Sequence, residues 1–147
     1  MSNNEVISVL HNLIETCRRA HNAFRMAAEN VQSSEFRRLF NVFAQQTAQF
    51  VTELQAELHR LGGETVAESS RKLDNTVVFP GTAAKPSRLR DEASIVLECQ
   101  REEEAALNAY QDALKADLPL DVQYVVKRQY MDIKDAYDRI RILQRAA

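Results

Sequence analysis

The feature that most constrains this fold is an unbroken alternation of four- and three-residue steps between apolar positions near the N-terminus. Val6, Leu10, Leu13, Cys17, Ala20, Phe24, Ala27 and Val31 follow one another in that rhythm, with Ile7, Ile14 and Ala28 widening the stripe. The spacing keeps side chains on one face of a helix with 3.6 residues per turn and is incompatible with the two-residue period of a strand. Ser2 and Glu5 form a Ser-x-x-Glu capping box, in which hydroxyl and carboxylate each satisfy an orphan backbone donor, so a long first helix is expected to start there.

Ser33, Ser34 and Glu35 supply the next start signal, and Phe36, Phe40, Phe43, Thr47, Phe50, Leu54 and Leu61 continue the same spacing, flanked by Leu39, Val51 and Leu58. Gly62-Gly63 ends this second helix, because a left-handed residue after a helix costs glycine little. A third helix begins between Ser87 and Asp91 and carries Val96, Cys99, Glu103, Ala106, Tyr110 and Ala113 at the core spacing. After a break at Asp117-Leu118-Pro119, a fourth presents Val122, Val126, Gln129, Ile133, Ala136, Ile140 and Leu143. Its terminal Arg139, Arg141 and Arg145 suit the negative end of the helix dipole.

Residues 62–90 or so hold most of the Gly, Pro and Ser punctuation, and a connection of about 30 residues is far longer than the usual turn between helices. A crossover running back along the bundle accounts for it, with Thr76-Val77-Val78-Phe79 lying against the helices, or alternatively serving as an exposed docking segment. The expected fold is therefore all-α: two antiparallel hairpins joined by one long crossover, the ferritin-like four-helix bundle, in a single domain over residues 1–147.

A weak internal repeat pairs the hairpins. An offset of 86 residues places Ala20 on Ala106, Phe24 on Tyr110, Ala27 on Ala113, Phe40 on Val126 and Leu54 on Ile140. The same offset, with the core spacing, defines a common layer of Cys17, Thr47, Glu103 and Ile133.

Composition narrows the function classes. With 19 basic and 21 acidic side chains the net charge is −2, which is not the footprint of a nucleic-acid or anionic-membrane binder. The N-terminus carries neither a basic nor an apolar leader region, and no apolar run approaches a bilayer span, so a cytoplasmic protein is expected. Two cysteines, Cys17 and Cys99, are too few for a disulfide framework and fall on core faces, as inert buried thiols would.

The chain resembles an uncharacterised bacterial ferritin-like four-helix-bundle family defined only as a domain of unknown function. The resemblance rests on Leu13-Ile14-Glu15-Thr16-Cys17, on Ala48-Gln49-Phe50 with Glu53-Leu54-Gln55-Ala56-Glu57 and Leu61-Gly62-Gly63, on Glu98-Cys99 through Ala109-Tyr110, and on Asp117-Leu118-Pro119. The crossover departs from it, having no Trp. The resemblance implies a fold and a bacterial origin, and no established activity. A ferritin-like di-iron centre takes one Glu from each of two helices and Glu-x-x-His from each of the other two. Carried over by position, the single-Glu helices offer Cys17 and Glu103, and the Glu-x-x-His positions hold Thr47-x-x-Phe50 and Ile133-x-x-Ala136. One of the six ligands remains, so the di-iron pattern is read as lost.

Glu103 is the acid on the buried face. It must be neutral, paired or near the surface: bonded to Thr47 or Gln129, or part of a residual metal or small-molecule site with His21 or Tyr110. Glu102, Glu103 and Glu104 point in different directions and form no acidic cluster. His11 beside Glu15, and likewise His59, read as surface residues, while His21 reads as a half-buried histidine bonded to a neighbour. The expectation is a non-catalytic bundle acting through protein association, as a homo-oligomer and without a cofactor. The alternative is a degenerate iron- or manganese-binding oxidoreductase or storage protein.

Overall fold

The computed structural model describes residues 2–63 and 91–146. They form four long helices: α1 (Asn3–Asn30), α2 (Ser34–Arg60), α3 (Glu92–Lys115) and α4 (Leu120–Ala146). The expected crossover and its Thr76–Phe79 segment lie outside the described residues. No described helix is long and apolar enough to cross a membrane.

Each end is built as the local chemistry dictates. The Ser2 capping box closes from both sides, Glu5 N–H donating to Ser2 Oγ at 3.2 Å and Ser2 N–H to Glu5 Oε1 at 2.8 Å. Ser33 caps α2 and Asp91 caps α3, each side chain accepting from the N–H three residues on. At the end of α2, Gly62 takes φ +83°, its N–H donates to His59 O, and Gly63 N–H donates to Leu58 O, both at 3.0 Å. That is a Schellman closure, and it leaves Leu61 a half-buried cap residue instead of the full core position its spacing implied. Leu143, in the last turn of α4, is likewise half-buried.

Side-chain contacts fix the topology. Glu92, at the start of α3, accepts from the backbone N–H groups of Gln32 and Ser33 in the α1–α2 turn, at 2.6 and 2.7 Å. At the other end, Arg60 of α2 pairs with Asp121 of α4 at 2.6 Å. The chain thus leaves α2 at one end of the bundle and enters α3 at the other, and every neighbouring pair (α1–α2, α1–α3, α3–α4, α2–α4) is antiparallel. This is the up-down-down-up order of a ferritin-like bundle.

The core falls into two apolar clusters stacked along the axis. One gathers Leu10, Leu13, Phe50, Leu54, Tyr110 and Val126, and the other gathers Phe24, Phe36, Phe40, Phe43, Val96 and Ile140. In the second, Phe24 stacks with Phe40 at 6.0 Å and meets Phe43 at 5.5 Å between ring centroids. Among the described residues, four buried polar side chains interrupt this interior: Thr16, Thr47, Glu103 and Gln129.

Because Glu92 holds two backbone donors beside the N-cap of α2 with a charged acceptor, Glu92→Ala should cost about 1–2 kcal/mol in urea denaturation. A value indistinguishable from wild type would show that this junction is held by packing alone.

Candidate functional site

The polar layer is assembled by all four helices. Tyr110 of α3, fully buried, donates its hydroxyl to Gln129 Oε1 of α4 at 2.6 Å, and Cys17 Sγ of α1 lies 3.1 Å from the same hydroxyl. Gln129 Nε2 in turn donates to Glu53 Oε1 of α2 at 2.9 Å and reaches the Phe50 carbonyl at 3.3 Å. Arg128 closes the sequence at the surface with a 2.8 Å bond to Glu53 Oε1. A single hydrogen-bonded chain therefore runs Cys17–Tyr110–Gln129–Glu53–Arg128 from the middle of the bundle to solvent.

Environment grades these groups. Burial pushes the Cys17 thiol up to about 12, its contact with Tyr110 pulling only partly the other way. Burial also drives the Cys99 thiol and the Tyr110 phenol up, and the Glu103 carboxyl adds to both shifts. At the outer end, burial pushes Glu53 up, but the bonds from Gln129 and Arg128 outweigh it and hold the carboxyl below its ordinary range. The inner members are neutral at physiological pH, and charge appears only where Glu53 meets Arg128.

Glu103 stands outside the chain. It is 3% exposed and makes no hydrogen bond among the described residues. Of the partners proposed for it, Thr47 gives its hydroxyl to the Phe43 carbonyl of its own helix at 2.7 Å, and Gln129 is occupied by Tyr110, Glu53 and Phe50. The expected pairing is corrected on both counts, since each side chain is bonded elsewhere. Burial, helped by Glu102, raises the Glu103 carboxyl to about 8, so it is protonated at neutral pH. Neutrality is the way this acid meets the cost of its position.

The other sequence candidates separate. Tyr110 belongs to the Cys17–Gln129 chain, and His21 bonds the Ala44 carbonyl through Nδ1 at 2.8 Å, as a half-buried histidine carrying its proton on that nitrogen. Glu102 is half-buried and lies 3.7 Å from Arg19, while Glu104 accepts from the Tyr137 hydroxyl at 3.1 Å, so the three successive acids do diverge. Among the described residues no group of three or more His, Cys, Asp or Glu is placed to hold a metal ion. A protonated acid, two thiols with raised pKa and a phenol already donating to an amide are poor donors for the hard di-iron ligand set, which requires several ionised carboxylates with imidazoles. The residues present do not fit that group.

Glu53 and Arg128 were missed as members of the layer. Their signal was available: Glu53 sits one turn after Phe50, and Arg128 lies on the flank next to Gln129, the one amide at a core position of the fourth helix.

Residues 5–116 match the family described as "Domain of unknown function (DUF2383)", and the chain belongs to it. The match ends before α4. No curated protein matches. Among solved structures the chain is similar to a two-domain protein of Anabaena variabilis containing DJ-1/ThiJ/PfpI-like and ferritin-like domains, with a TM-score of 0.81 and 14% identity. That similarity covers 99% of this chain and 37% of the other, so the chain spans little more than a third of that protein's length. It shows the ferritin-like fold.

Two outcomes follow from the layer. The Glu103 proton is held up to about 8 in the folded chain against 4.5 for the free group, so folding binds a proton across that interval. Its contribution is fully present below pH 4.5 and drains away as pH rises towards about 8, on the order of 3 kcal/mol by neutral pH. Glu103→Gln should abolish that slope, leaving the variant more stable than wild type at pH 8 to 9 and nearly equal near pH 4 to 5. Superimposable pH profiles in urea denaturation would count against a buried, protonated Glu103. Separately, Tyr110→Phe strips Gln129 Oε1 of its buried donor and should cost about 1–3 kcal/mol by the same measurement.

Proposed function

We propose that the protein is a non-catalytic member of its family, a bundle that acts through protein association as a homo-oligomer in the bacterial cytoplasm. Its interior supports the non-catalytic part of this reading: Cys17, Tyr110 and Glu103, the innermost titratable groups among the described residues, are all neutral at physiological pH.

The observation that carries the association is on the outside. Of the six large apolar side chains exposed among the described residues, four lie on α4: Leu120, Tyr124, Met131 and Ile142. Scattered exposed apolar residues need no explanation, but a line of them on one helix marks a contact surface.

Size-exclusion chromatography with light scattering should give a mass above the 16.8 kDa of one chain. Protein purified without chelator should carry no stoichiometric iron or manganese. One or more metal ions per chain would replace this reading with a degenerate metal-binding oxidoreductase or storage protein.

A further inference from the structure

The four exposed apolar residues of α4 share one narrow line. At about 100° per residue, Tyr124, Met131 and Ile142 fall within about 40° of Leu120 around the helix axis. The buried residues Val122, Val126, Gln129, Ile133, Ala136 and Ile140 centre on the opposite side, roughly 180° away. Leu120 is 82% exposed, Tyr124 69%, Met131 56% and Ile142 62%, so the stripe is open along the length of the helix.

Charge is distributed unevenly along the same line. Lys127 lies on the N-terminal side of Met131, Asp135 and Asp138 on the C-terminal side, and Arg145 beyond Ile142, while Asp117 precedes the helix. We propose that this face pairs with the same face of a second copy of the chain, antiparallel, with a two-fold axis close to Met131. The proposal rests on the association reading above and names the partner. In the antiparallel arrangement Leu120 meets Ile142 of the second copy, Lys127 meets the Asp135 and Asp138 region, and Arg145 meets Asp117. A parallel arrangement would set Lys127 against Lys127 and acid against acid, which like charges oppose. Leu120 and Ile142, Lys127 and Asp135, and Asp117 and Arg145 each lie equally far from Met131 and are complementary in kind, as an isologous contact requires.

From Leu120 to Ile142 the stripe runs about 33 Å along a helix about 10 Å wide. At about 330 Å² per copy that is less than half of a standard specific interface, so the contact is a weak, reversible one. Lys127 and Asp138 are eleven residues apart, about 16 Å along one helix, too far to pair within a chain. Any coupling between them is therefore between copies.

The test is sedimentation equilibrium on the full chain from about 10 µM to about 1 mM. Wild type should show a reversible dimer, Lys127→Glu and Asp138→Lys should each weaken it about tenfold, and the double variant should recover most of the loss. In an oxidised mixture of Leu120→Cys and Ile142→Cys chains, the mixed disulfide should dominate over either same-variant disulfide. Thermal melts confirming unchanged folding accompany each surface variant, and the recovery in the double variant cannot arise from misfolding. An oligomer indifferent to both charge reversals, or one giving mainly same-variant disulfides, would overturn this face or its direction while leaving the association reading standing. A monomer throughout, whatever else covers the stripe, would overturn both.

Discussion

One amide, Gln129, ties the middle of the bundle together. It accepts from Tyr110 of α3 and donates to Glu53 and to the Phe50 carbonyl of α2, so three helices meet at a single fully buried side chain. Hydrophobic packing alone tolerates a one-turn slip between long helices whose stripes repeat every three or four residues. A slip here would strand the Tyr110 hydroxyl and both ends of the amide away from water, and each unsatisfied buried group costs about 1–3 kcal/mol. The polar layer therefore specifies the register that the apolar stripes leave degenerate.

The same layer also differs in kind between the two hairpins. The 86-residue offset carries the Tyr110–Gln129 bond onto Phe24 and Phe43, whose rings meet at 5.5 Å. What is a hydrogen bond in one hairpin is an aromatic contact in the other, at the equivalent place. The offset likewise carries the Cys17–Tyr110 contact onto Glu103 and Phe24. A phenyl ring presents no hydroxyl to a carboxyl, which gives a physical account of the missing partner of Glu103 on its side of the repeat.

Helix ends and core faces were legible because they are written locally. The Ser2–Glu5 box, the Ser33 cap and the Gly62–Gly63 closure each follow from a few neighbouring residues, and every core position read on α3 is buried. The partners of buried polar groups were not legible in the same way. Thr47 and Gln129 were both placed correctly in the interior, yet which of them would reach Glu103 depended on competing acceptors: Thr47 had the Phe43 carbonyl one turn back, and Gln129 had Tyr110 nineteen residues away on another helix. Glu53 was hidden for a related reason. Its residue is half-buried on the flank of the α2 stripe, and only the approach of α4 turns that flank into the outer end of a network.

The inner and outer faces of α4 are mechanically one object. Gln129 and Met131 are two residues apart and so lie about 160° from each other around the helix, the first locked into the core and the second on the exposed stripe. The bonds from Gln129 to Tyr110 and Glu53 fix the rotation of α4 about its own axis, and that rotation alone decides which side chains the helix presents outward. A rotation of one residue step would carry Leu120, Tyr124, Met131 and Ile142 off the line directly opposite the core and turn Gln129 away from its partners. The buried chain of hydrogen bonds thus decides, from inside the core, which side chains α4 turns outward.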